Sequence, residues 1–125
     1  MKETNQQNNG SQPAYHLIIP SDILKFFEVS DVKEREEDIT ITLIEKADNL
    51  PINSTGKPLV LNGYMNPLEL LHYPIQGKSF YLHLIRRRWK EQGTDGKPSY
   101  FNEYDFAAEG TKATKTFGAF LKENL

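Results

Sequence analysis

At 125 residues the chain fits one domain and has no room for two independent cores, which excludes a large multi-step enzyme. A composition of 38% hydrophobic and 26% charged residues supports a modest core with a polar fringe. There is no cysteine, which removes disulfides, thiolate zinc sites and thiol chemistry. The three histidines, His16, His72 and His83, include no pair at the spacing of one helical turn, so neither a metal nor any other cofactor is expected.

No run nears the roughly 18 consecutive apolar residues of a bilayer span. The start, Met1-Lys2-Glu3-Thr4-Asn5-Gln6-Gln7, lacks the apolar segment of a secretory signal. A cytoplasmic protein without membrane contact is expected. The formal net charge of −2 is unevenly divided: up to Gln76 six basic residues face eleven acidic ones, and from Gly77 onward nine basic face six acidic. Ten of the fourteen aromatics lie from Tyr73 onward. A basic, aromatic-rich second part suits a polyanion partner, and it equally suits an aromatic-rich sheet core.

In chain order, Met1 to Pro13 is Asn/Gln/Ser-rich without apolar periodicity and reads as a disordered tail. Ser21 or Asp22 can cap a short helix carrying Ile23, Leu24, Phe26 and Phe27. Phe27 to Lys33 alternates, with Val32 slightly off phase. Asp38 to Lys46 alternates better, with Ile39, Ile41 and Leu43 on one face, so a hairpin closes around Arg35-Glu36-Glu37. Adjacent strand residues point to opposite faces, which makes the acidic run Glu34 to Asp38 a solvated turn and not a metal cluster. Ala47 to Asn66 has the composition of turns. The chain is apolar again from Leu68 through Tyr73. Gly77 to Trp89 then forms the longest strand, with Phe80, Leu82 and Leu84 on one face and Tyr81, His83, Ile85 and Trp89 on the other. A turn at Asp95-Gly96 and a returning strand over Ser99 to Phe106 complete a second hairpin. Thr111 then caps a last helix with Ala113, Phe117, Phe120 and Leu121 inward, weakened at Gly118 by about 1 kcal/mol relative to alanine.

Arg86-Arg87-Arg88-Trp89 is the most concentrated chemical feature. On a strand Arg86 and Arg88 point one way, and Arg87 and Trp89 the other. Two readings are open. Guanidinium forks can hold phosphates while an indole stacks on a base, or the arginines pair with carboxylates on neighbouring strands over a Trp89 packed in the core. Lys90 extends the run. Lys112, Lys115 and Lys122 make one helical stripe suited to a phosphate backbone or to plain solvent. No Gly-rich phosphate loop, nucleophile-elbow serine or histidine motif is present, so no catalysis is expected; His72 and His83 read as hydrogen-bonded sheet residues.

The segment Tyr73 to Trp89, YPIQGKSFYLHLIRRRW, is followed by a short turn and by YFNEYDFAAEGTKATKTFGAFLKEN. This resembles the N-terminal region of a group of bacterial insertion-sequence DDE transposases. There, too, a leucine- or tyrosine-proline step, a glycine with a basic or small neighbour, an alternating strand, an Arg-Arg pair and a returning strand lead into a helix. Leu24 to Lys46 is similar to the short N-terminal reading frames of some of these elements, and the likeness runs from about Ile18 to Leu125. In that family, cysteines after the Arg pair build a zinc ribbon; Lys90 to Lys97 stands in their place here, so the resemblance implies a zinc-free head. It also implies DNA contact at Arg86, Arg87 and Arg88, a turn at Gly77, a helix over Thr111 to Asn124, and catalytic acids on a separately encoded subunit.

The expectation is a β-rich α+β domain over residues 14–125, with two antiparallel hairpins in a small sheet, a short N-terminal helix and a C-terminal helix. Its expected role is a non-catalytic, DNA-binding accessory protein of the transposase. Arg86, Arg87, Arg88, Trp89, Lys90, Lys112, Lys115 and Lys122 would form one cationic surface for double-stranded DNA at the element termini, with Trp89 or Tyr100 available to stack. The alternative is a module that docks on the separate catalytic subunit, without DNA contact, through an apolar patch around Phe117, Phe120 and Leu121.

Overall fold

The computed structural model describes residues 15–124; the tail expected at 1–13 lies outside them. The architecture is α+β, with two small sheets, a short helix near the N-terminal end and another at the C-terminal end. The elements are α1 (Ser21–Leu24), β1 (Phe27–Glu34), β2 (Asp38–Glu45), β3 (Leu59–Tyr64), β4 (Leu68–Ile75), β5 (Lys78–Ile85), β6 (Arg87–Glu91), β7 (Ser99–Tyr100) and α2 (Lys115–Glu123). The first sheet has the order β1-β2-β5-β4, and the second β3-β6-β7. Among the described residues no helix is long and apolar enough to cross a membrane.

The β1–β2 hairpin closes at Arg35-Glu36-Glu37 as the alternation requires, with Arg35 N–H donating to the Asp38 carbonyl at 2.8 Å. The off-phase Val32 has a cause: Val29 pairs Leu43 while Asp31 pairs Thr42, so one extra residue bulges and resets the alternation. In β2 the inward set is Ile39, Ile41, Leu43 and also Glu45. The middle of the sheet is a parallel pair. Ile39, Ile41 and Leu43 stand opposite Phe80, Leu82 and Leu84, so two apolar rows meet on one face. Ile19, Ile23, Phe27, Leu70 and Phe106 complete the core there; full burial of each large apolar side chain contributes roughly 1.5–3 kcal/mol.

The second antiparallel hairpin of this sheet is β4–β5, whereas the expected hairpin around Asp95-Gly96 is present in shorter form in the second sheet, where Trp89 pairs with Tyr100. β5 pairs with the preceding strand β4 through a two-residue turn, in which Gln76 (φ 51°) and Gly77 (φ 78°) both take the left-handed conformation that a tight hairpin favours. The 77–89 strand is broken at Arg86, whose carbonyl accepts from Met65 N–H at 2.9 Å. The chain there passes from the first sheet to the second. Residues 59–64, expected as turns, form β3; a register shift between Leu61 and Tyr64 had hidden the alternation. The returning strand is only Ser99–Tyr100. Beyond it Asn102, Tyr104 and Phe106 keep a two-residue period but aim their side chains at Glu45 and the core, without a ladder partner of their own.

The helices are shorter than expected. α1 has no side-chain cap, and Phe27 belongs to β1. α2 is capped by Thr114, not Thr111, because Leu71 draws residues 112–114 onto the β4 edge: Leu71 N–H donates to the Lys112 carbonyl and Thr114 N–H to the Leu71 carbonyl. Lys112 therefore precedes the helix. Phe117 is buried, but Phe120 is 45% exposed and leans on Tyr73, with ring centroids 5.5 Å apart.

Candidate nucleic-acid interface

The arginine run leaves β5 at the Leu68 end of the β4–β5 hairpin, whereas Phe117 and Phe120 of α2 pack on Tyr73. Leu68 and Tyr73 are five residues apart, roughly 16 Å of strand. The start of the arginine run and the Phe117–Phe120 face of α2 therefore lie toward opposite ends of β4, while Lys112, whose carbonyl accepts from Leu71 N–H, lines a cavity with Leu68 between them.

Within the run, Arg86 and Arg87 are tied down and Arg88 is exposed. Arg86 is 11% exposed, donates through Nη1 to the Asn102 carbonyl at 3.1 Å, reaches the Glu103 carboxylate at 4.0 Å and lies over the Phe101 ring. Arg87 points to the interior side of β6. Its N–H donates to Glu45 Oε1 at 2.8 Å and its Nε to the Glu45 carbonyl at 2.7 Å. Trp89 and Glu91 share that side and are buried, so the indole is not presented for stacking. Arg88 and Lys90 alternate to the opposite face, Arg88 exposed and Lys90 half-buried. Across the ladder, Lys90 has only Val60 and Ser99 beside it. Arg88 Nε donates to the Asn62 carbonyl at 2.9 Å, which steers the guanidinium along β3. Among the described residues neither cation has a carboxylate partner.

The lysines divide in the same way. Lys115 pairs with Asp105 at 2.9 Å, and Lys122 shares its hollow with Asp105 and Glu109, a mixed-charge surface. Lys112 is exposed at the rim of a separate cavity.

Two buried carboxylates that the sequence reading passed over hold β6 in place. Glu45 is fully buried and accepts from Arg87 N–H, from Asn102 Nδ2 at 3.0 Å and from the Tyr104 hydroxyl. Burial, then the Glu45 bond, pushes the Tyr104 hydroxyl well above the ordinary phenol value. Glu91 accepts from the hydroxyls of Tyr100 (2.7 Å) and Thr55 (2.8 Å), with Lys57 3.9 Å away; those hydroxyls, Tyr100 first, hold its carboxyl below the usual range. The signal was available: Glu45 is in phase with Ile39, Ile41 and Leu43, and Glu91 with Trp89, and an acid on an inward register needs donors.

His72 is a satisfied core histidine, as expected. Its Nε2 lies 3.0 Å from the Ile18 carbonyl and so carries the proton; Nδ1 then accepts from the Thr114 hydroxyl at 2.7 Å. His83 faces Glu69 at 3.9 Å on the uncovered side of the first sheet. Among the described residues no group of three or more His, Asp or Glu is placed to hold a metal ion.

Comparison with protein-family models, curated proteins and solved structures finds no match for this chain. Arg88 and Lys90 share one face of the three-stranded sheet without a carboxylate partner among the described residues, while the Arg87 guanidinium lies on the other face over the Tyr64 ring.

Proposed function

We propose that this chain is a non-catalytic, DNA-contacting accessory protein of an insertion-sequence transposase, acting in the cytoplasm with a separately encoded catalytic subunit. The observation that carries the reading is the outward pair Arg88 and Lys90 on β6, without carboxylate partners among the described residues and backed by the buried residues Trp89 and Glu91. A β-ribbon can enter a groove or lie along a phosphate backbone, and an arginine fork suits phosphate oxygens. The likeness of Tyr73 to Trp89 to transposase heads supplies the class of nucleic acid. Arg86, Arg87 and Trp89 take a supporting part, as the joint that fixes the cationic face.

Fluorescence anisotropy with labelled duplex DNA at several salt concentrations tests this. The expected result is affinity that declines steeply as salt rises. Absence of binding at low salt, or binding indifferent to salt, overturns it. A second reading, docking on the catalytic subunit, is favoured by the exposed apolar residues Leu17, Tyr73 and Phe120. A subunit pull-down that is abolished by Phe120→Ser, together with absent DNA binding, would support that reading instead.

A further inference from the structure

The first sheet has an unfinished edge. Leu71 of β4 directs both its backbone groups outward, to the Lys112 carbonyl and the Thr114 N–H. In an antiparallel pair the outward and inward residues alternate, so Glu69, two residues back, also points its N–H and carbonyl outward. Among the described residues these two groups have no backbone partner, because the 107–113 segment folds into its own turn, with Thr111 N–H donating to Ala108 and Ala108 N–H to Ala113. In the wedge between that turn and β4 lies a cavity of about 390 Å³, floored by Leu68, Leu70, Tyr104 and Phe106. Lys112 stands at its rim, exposed and without a carboxylate partner among the described residues, while the Glu69 side chain is on the far face beside His83.

The geometry points to a strand-addition site: an extended segment of a partner protein hydrogen-bonds to the Glu69 backbone, seats one apolar side chain in the cavity and sets a carboxylate against Lys112. An open strand edge supplies main-chain affinity and an adjoining pocket supplies side-chain choice, and the lone lysine selects an acidic over a basic segment. The site is independent of the cationic face on β6.

The probe is a capped hexapeptide, threonine-threonine-leucine-threonine-glutamate-threonine, titrated into the full chain and followed by amide chemical shifts. The expected shifts fall on residues 68–71 and 107–112, with at least fivefold weaker binding when glutamate is replaced by lysine or when the nitrogen of the threonine between leucine and glutamate, which lies opposite Glu69 in an antiparallel pair, is methylated. Lys112→Glu, at an exposed position, should reverse the glutamate-over-lysine preference. In the free protein the Glu69 amide should exchange with deuterium at least tenfold faster than that of Leu71. Shifts elsewhere, equal binding of both peptides, or an unchanged preference in Lys112→Glu overturns the proposal. So does a dimer in which the Glu69 amide is already protected, which would make a second copy the occupant.

Discussion

Replacing Glu45 by glutamine keeps the shape of the side chain and removes its charge at the point where β6 is pinned to the first sheet. The carboxylate accepts from three donors, Arg87 N–H, Asn102 Nδ2 and the Tyr104 hydroxyl. The amide oxygen of glutamine can serve two of them, on the side of Asn102 and Tyr104. Its NH2 group then faces the Arg87 N–H, donor against donor. One charge-assisted bond is lost outright, the other two are weakened and a buried donor is orphaned, for a total cost of about 3 kcal/mol. In urea unfolding the midpoint should fall with the slope unchanged, and thermal melting should drop by roughly 12 °C. Tyr104→Phe alone should cost about 1.5 kcal/mol, and appreciably less in the Glu45→Gln background, since the neutral amide has already weakened the bond that Tyr104→Phe removes. A Glu45→Gln cost under about 1 kcal/mol, or strict additivity of the two substitutions, would refute the reasoning.

Three further outcomes can be checked. Gly118→Ala should gain helix propensity of about 1 kcal/mol, yet destabilise on balance by about 1–2 kcal/mol in urea titration, because the new Cβ would meet Ala108 Cβ at 2.4 Å. Burial holds the His72 imidazole below its ordinary value of 6.5 against the opposing Ile18 bond, so the folded state binds the proton less well than the unfolded chain. Stability should therefore be full above about pH 6.5 and decline as pH falls from there, with the dependence flattened in His72→Gln. Glu91, held low by Tyr100 and Thr55, should add stability that is present above its ordinary value and lost as pH falls through the folded one; the urea midpoint of Tyr100→Phe should show less of that acid loss.

Several parts of the fold were legible in the residues because local periodicity and burial agreed. β2 and β5 alternate cleanly, and both bury one face. The bulge in β1 was already visible as the mistimed Val32. The joint at Arg86 was not legible, since a single alternating run from Gly77 to Trp89 carries no mark of the sheet change; that change is imposed by Met65 and Glu45, which lie far away in sequence. For the same reason the choice of β4 as partner for β5 over the 99–106 segment depended on the Gln76-Gly77 turn, where glutamine is an unusual left-handed residue. At the candidate site, the alternation of Arg87 and Trp89 against Arg88 and Lys90 followed from strand geometry alone, whereas the expected grouping of Arg86 with Arg88 fails because the strand breaks at Arg86. Which side would be solvated did not, because it turns on two buried glutamates that look like surface charges in a linear reading.

The most direct measurement of the DNA-contacting role is the salt dependence of duplex binding by the paired substitution Arg88→Ala/Lys90→Ala, set beside Lys115→Ala/Lys122→Ala. Each lost phosphate contact lowers the slope of log affinity against log salt by about 0.9. The first pair should flatten the slope by nearly 2 and weaken binding, while the second leaves both close to those of the unaltered protein. Equal effects from the two pairs, or no effect from the first, would contradict the account.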